Sequence, residues 1–365
     1  MRTPLRTLLP ASLCAAGLVF AHAPQACAQG SLTNDLVSDA NPTDADLQRI
    51  TDIATELCER LRTTDDPRVM ERTRRDLLRP FTGFQTQSVA FRLRWGRAVA
   101  FELREVAGDE DVRRAVNALA ALGPTGVPEA VAVLEEAIAS ERAAIRLAAA
   151  GALGDAIQTD TSVQILREPA LRSLEIASGA LKGENDPAVA SALVSAMAVP
   201  PANTALLPRA SALVVEALPD VVGDLPDGFD HLAWGKALVR AGATARAGSI
   251  NATSNSTGGA ATLRQATRAM TFSLAFVNRV LGEHDDPGMI ADTPLEDVLE
   301  SIVGTAFSQI QLATQRLGRA GTPSPDLTDA LERAIDDGDA SVFTDALDSL
   351  RPALDAIGVG DDALR

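Results

Sequence analysis

The stretch DVRRAVNALAALGPTGVPEAVAVLEEAIASERAAIRLAAAGALG, residues 111–154, decides the fold. Val112, Val116, Leu119 and Leu122 step by four, three and three, which keeps them on one face of a helix of about 3.6 residues per turn. Gly123-Pro124 ends that helix, since proline carries no backbone N–H and its ring clashes with the preceding turn. Val127, Val131, Leu134 and Ile138 form the next stripe, so the spacing predicts two amphipathic helices joined by a short turn. The pattern restarts at Ile145-Arg146 and returns, degraded, at Asp186-Pro187-Ala188-Val189 through Ala192-Leu193. Ile145 follows Val112 by 33 residues and Val189 follows Ile145 by 44, spacings that suit helical hairpins repeated with unequal loops.

Asp111-Val112-Arg113, Ala115 and Ala121-Leu122-Gly123, echoed by Ile145-Arg146 with Ala148, Ala149, Ala152, Leu153 and Gly154, resemble HEAT repeats over residues 108–198. The resemblance implies an all-α fold, a right-handed α-solenoid of stacked antiparallel helix pairs whose surface binds other macromolecules. The third copy, at Val189, departs from the pattern by lacking the arginine and the Leu-Gly ending. Composition points the same way independently: 65 Ala against 10 Phe, 2 Trp and no Tyr suits closely packed helices. A hairpin of this kind needs a neighbour to bury its other side.

Working outward, residues 43–107 read as an N-terminal helical region, 108–217 as the repeat region and 218–365 as a C-terminal helical region ending in a helical cap. Thr43 caps a helix striped by Leu47, Ile50, Ala54, Leu57 and Leu61; Asp66-Pro67 opens the next, and Arg79-Pro80 is expected to end it. Val89, Phe91, Leu93 and Trp95 alternate as in a strand, but the segment runs on through Ala98, Val99 and Leu103 with no partner strand, so a helix is expected. Later stripes are Leu206 to Ala217, Leu263 to Leu281, and a helix from a Thr293-Pro294-Leu295-Glu296 capping box through Leu317. Shorter helices follow at 327–335 and 342–357. Residues 248–259 read as a mobile loop rich in Asn, Ser, Thr and Gly, with glycosylation-type triplets at Asn251 and Asn255.

The first 28 residues carry Arg2 and Arg6, an apolar run from Leu8 to Phe20 and the small-residue site Ala26-Cys27-Ala28, the layout of a secretory signal peptide cleaved after Ala28. This predicts a periplasmic or extracellular protein. Lipid anchoring at Cys14 or Cys27 fits less well, since Leu13 is bulky and Pro24 stands where a lipobox carries Leu. After cleavage a flexible leader is expected over 29–42, no later segment is long enough to cross a membrane, and Cys58 alone remains. A lone thiol beside Leu57 and Leu61 reads as a buried structural residue.

The formal charge of −16 opposes phosphate backbones, which argues against nucleic acid as a partner. His231 and His284 stand in different segments without ligand spacing, and no phosphate loop, nucleophile elbow or dinucleotide fingerprint occurs. No cofactor or metal is expected; Asp39–Asp46 reads as helix capping rather than a calcium loop, and Asp336–Asp339 as a polar turn. Charge distribution carries the one functional signal. From Arg68 to Arg97 eight arginines face only Glu71 and Asp76, with Phe81, Phe84, Phe91 and Trp95 interleaved. Arg72, Arg74, Arg75, Arg92, Arg94, Trp95 and Arg97 are the candidate binding residues for an anionic protein or envelope surface. The alternative is a solvated helix face whose arginines pair with acidic neighbours. The leading expectation is therefore a non-enzymatic, protein-binding scaffold; its rivals are a helical lyase or hydrolase with a pocket near His231 and Trp234, and a purely structural envelope component.

Overall fold

Small residues at helix crossings and polar residues at helix starts dictate the architecture. The computed structural model describes residues 32–365 except 85, 160–163, 201–202, 204, 224, 226–227, 251–257, 318–325, 361–363 and 365. Among the described residues there are fifteen α-helices and no strand: α1 (Asn34–Ser38), α2 (Asp44–Thr63), α3 (Pro67–Thr82), α4 (Val89–Ala107), α5 (Val112–Leu122), α6 (Pro128–Ile138), α7 (Ala143–Ile157), α8 (Gln164–Leu181), α9 (Pro187–Met197), α10 (Leu207–Gly223), α11 (His231–Ser249), α12 (Gly259–Glu283), α13 (Pro294–Arg316), α14 (Leu327–Asp336) and α15 (Ser341–Ile357). The expected signal peptide and Cys14 and Cys27 lie outside the described residues, as do Asn251, Asn255 and most of the expected mobile loop.

The helices form two layers. The even-numbered α2, α4, α6, α8, α10 and α12 pack in chain order in one; α3, α5, α7, α9, α11 and α13 pack in chain order in the other; the α14–α15 hairpin closes on α13 and α12. This is an all-α solenoid of stacked hairpins, and it runs from residue 44 to 316 without a seam. α4 packs on both α2 and α6, across 107/108, and residue 217 lies inside α10. The repeat motif is legible only in the middle hairpins, but the packing that it encodes extends beyond them on both sides.

Glycine explains the Leu-Gly endings. A Cβ on Gly123 would stand 2.7 Å from the Ala152 carbonyl oxygen and 2.9 Å from its Cα, so α5 approaches α7 backbone to backbone. Gly154 faces Ala196 of α9 less closely, with 3.4 Å to the Ala196 Cα, an ordinary van der Waals contact. Each ending thus seats the next helix of the odd layer.

Helix starts follow local chemistry. Thr43 Oγ1 accepts the Asp46 N–H at 3.2 Å while the Asp46 carboxylate accepts the Thr43 N–H at 3.1 Å, a reciprocal cap. The Thr43 hydroxyl, donating to the Asp46 carboxylate at 2.6 Å, and then the Thr43 N–H hold the Asp46 carboxyl below its ordinary range. Asp66, Asp111, Asp186, Asp230 and Asp326 cap α3, α5, α9, α11 and α14. Asp339 likewise accepts from the Ser341 N–H at 2.9 Å in the turn before α15.

Three local expectations are corrected. The segment read as a flexible leader contains α1, with Leu32, Leu36 and Val37 buried and the Val37 carbonyl accepting the Ser88 N–H at 2.9 Å. Its apolar residues outweigh the polar ones around them. Arg79-Pro80 does not end α3, which continues to Thr82: Pro80 sits buried in the last turn, where only two residues follow it, and its apolar ring joins the buried face of the helix. The Thr293–Glu296 box does not form. The Thr293 hydroxyl donates to the Ile290 carbonyl, and Glu296 accepts instead from Asp292, whose φ of 59° turns its N–H toward the carboxylate.

Segment 89–95 is helical, as expected. Phe91, Trp95, Val99 and Leu103 step by four along α4 and are all fully buried, each contributing on the order of 1.5–3 kcal/mol of burial. Cys58 is buried in α2; burial, then the nearby Glu102 charge, pushes its thiol up to about 12. Among the described residues no helix is long and apolar enough to cross a membrane.

Candidate partner-binding surface

Helix α3 divides cleanly. Met70, Thr73, Leu77 and Pro80 step by three, four and three and are buried; Arg68, Arg72, Arg75 and Arg79 step by four, three and four and are exposed. Arg68 and Arg72 have no carboxylate within salt-bridge reach among the described residues. Arg75 reaches Glu71 only at 3.6 Å and leaves 68% of its side chain exposed. Arg79 lies 5.9 Å from the Phe84 ring centre.

The other expected binding residues do not join this face. Arg74 is held by Glu71 through contacts of 2.7–3.2 Å. Arg92 donates to Gln87 at 2.9 Å and lies over the Phe81 ring. Arg94 ties α4 to α2 through Thr51 Oγ1 at 2.6 Å, and Arg97 ties α4 to α6 through Glu129 at 2.8 Å. Trp95 is buried, stacked on Phe91 at 5.7 Å, and cannot meet a partner. The expected single patch is therefore two surfaces in different layers. Of its residues Arg72 and Arg75 remain on the open face, joined by Arg68 and Arg79.

The even layer carries a ladder of opposite charges. Arg97–Glu129 and Arg104–Glu136 join α4 to α6, Arg172–Glu135 joins α6 to α8, Arg209–Glu175 joins α8 to α10, and Lys182–Glu216 joins the turn after α8 to α10. The partners are 32, 32, 37, 34 and 34 residues apart, so the repeat is written in the ion pairs as well as in the apolar stripes. Exposed pairs of this kind contribute only about 0–1 kcal/mol each, but they neutralise the face.

One pair is different. Both Glu184 oxygens accept from Arg146, at 2.7 and 2.8 Å, and Arg146 also donates to the Ser140 and Glu141 carbonyls. The Glu184 side chain is 5% exposed. The Arg146 hydrogen bonds, against burial, hold its carboxyl below the usual range.

The two histidines that the sequence separates meet in space. His231 Nε2 lies 2.9 Å from Glu283, its ring centre is 5.4 Å from that of His284, and His284 Nδ1 is engaged by the Val280 carbonyl at 2.7 Å. Burial raises the Glu283 carboxyl, but hydrogen bonds from Arg279 and His231 outweigh it and the net shift is downward. Among the described residues no three His, Cys, Asp or Glu side chains are placed to hold a metal ion.

Comparison with known proteins adds little. No family model and no curated protein matches the chain. Among solved structures, an engineered protein is 16% identical over 89% of this chain and 92% of its own, with a TM-score of 0.24. Kap121p is 12% identical over 88% of this chain and 42% of its own, with a TM-score of 0.22. The fold is accordingly argued from the packing of the chain itself.

Proposed function

We propose that this chain is an exported, non-enzymatic scaffold of HEAT type, working in the periplasm or envelope and capturing an anionic protein through the open face of α3. The observation that carries the reading is the contrast in arginine state: within a chain of net charge −16, Arg68 and Arg72 stand exposed without ion-pair mates among the described residues, on a helix whose opposite face is buried. An unpaired basic stripe in an acidic surround gives electrostatic steering and orientation to a negative partner. Export rests on the amino-terminal signal-like segment alone.

Replacing Arg68 and Arg72 by Glu tests the reading by affinity capture from the native envelope fraction. Helicity and thermal stability stay unchanged, since both side chains are exposed, while the captured partner is lost. Capture that survives the double substitution removes α3 from the account, and recovery of no partner after mild cross-linking favours a purely structural envelope component.

A further inference from the structure

The odd layer begins and ends on helices of opposite charge. Its first member, α3, exposes Arg68, Arg72, Arg75 and Arg79 opposite the face packed on α2 and α5, and among the described residues Arg68 and Arg72 have no carboxylate within salt-bridge reach. Its last member, α13, is followed by α14, and these two carry the reverse pattern. Asp297 of α13 and Asp329, Glu332 and Asp336 of α14 are exposed, and none of the four has an ion-pair partner among the described residues. Arg333, the one cation of α14, donates from Nε to the Asp329 carbonyl at 3.2 Å. Burial, then the charges of Glu296, Asp297 and Glu332, pushes the Glu300 carboxyl of α13 above its ordinary range. Carboxylates therefore repel one another here without a cation to relieve them.

The two stripes also share a register. Arg72, Arg75 and Arg79 step by three and four, and so do Asp329, Glu332 and Asp336. Each triplet covers about 10 Å of helix and lies opposite the buried face of its own helix. The arginine row and the carboxylate row can thus meet charge for charge across two chains. Met289, 74% exposed in the turn Pro287–Ile290 that packs on α14, adds an apolar contact beside the acidic row.

We propose that the anionic protein taken by α3 is a second copy of this chain, whose α14 stripe docks on the arginines. The inference rests on the reading of α3 as the face for an anionic protein and names that protein. The contact is head to tail: a docked pair leaves one α3 face and one α14 face open, so further copies add in a row.

Sedimentation equilibrium of the purified chain tests it at about 0.1 M salt, where the net charge of −16 is screened beyond roughly 10 Å but contacts within the stripe are not. The mass rises with concentration past that of a dimer and returns to the monomer at about 1 M salt. Arg68→Gln/Arg72→Gln and Glu332→Gln/Asp336→Asn each weaken association about ten-fold and leave the fold intact, since all four side chains are exposed. At a concentration where neither variant associates alone, their equimolar mixture gives a one-to-one pair and nothing larger, because one matched interface remains. A monomer at every concentration, association that salt does not weaken, or a mixture no heavier than its parts overturns the proposal. No other protein is present in this experiment, so that result leaves the capture of a different anionic protein by Arg68 and Arg72 standing.

Discussion

The outer face of α3 and the outer face of α4 through α10 are built from the same residue type in opposite states. Arg97, Arg104, Arg172 and Arg209 each find a glutamate on the adjacent helix of their layer. Arg68 and Arg72 do not. The difference teaches that an arginine's role here depends on layer position and not on helix chemistry. Inside the stack, a neighbour one repeat away supplies the counter-charge. At α3, the first helix of the odd layer, packed on α2 and α5, the next carboxylates lie elsewhere.

The sharpest way to break that contrast is at the buried end of the charge scale. Glu184→Ala removes the bidentate acceptor of a half-buried Arg146 and is expected to lower unfolding free energy by about 1–3 kcal/mol, whereas Glu135→Ala in the exposed ladder lowers it by no more than about 1 kcal/mol. Urea denaturation of the two variants checks this; equal losses end the distinction between staple and ladder. The pH dependence has a fixed sign. The folded Glu184 carboxyl titrates below the ordinary glutamate range, so its stabilisation is complete above that range and is lost as pH falls through the depressed folded value. In Glu184→Gln that acid-side decline is shallower.

A smaller effect separates the two Leu-Gly endings. Gly123→Ala drives a methyl into the Ala152 backbone and costs about 1–3 kcal/mol of overpacking. Gly154→Ala meets Ala196 only at ordinary van der Waals distance, so helix propensity offsets the contact and the change stays below about 1 kcal/mol. Paired thermal melts distinguish them, and reversal of that order contradicts the backbone-to-backbone seating of α5 on α7.

Much of the fold was legible because it is periodic. The stripes of α2, α5, α6, α12 and α13 and the caps at Thr43 and Asp66 are local, and local chemistry decided them. Helices α8 and α11 were not singled out: α8 carries Pro169 within it, and the buried face of α11 is mostly Gly, Ala and Thr, which leaves a weak stripe. The binding patch was only partly legible. Phe91, Trp95, Val99 and Leu103 step by four, a signal of burial that the alternation at 89–95 masked. The meeting of His231 with Glu283 and His284 and the Arg146–Glu184 staple depend on contacts across the stack, which single-helix spacing does not encode.

The repeating register of the even layer is the claim on which the rest depends, and cross-linking measures it most directly. In a background with Cys14 and Cys27 changed to Ser, the ion pairs Arg97/Glu129, Glu135/Arg172 and Glu175/Arg209 are each replaced by two cysteines and treated with a short bis-maleimide; Cys58 stays silent because it is buried. The account predicts an intramolecular cross-link in all three variants and none in a mismatched Glu129/Arg209 control. Cross-linking of the control as readily as of the matched pairs, or failure of the matched pairs, would contradict the stack.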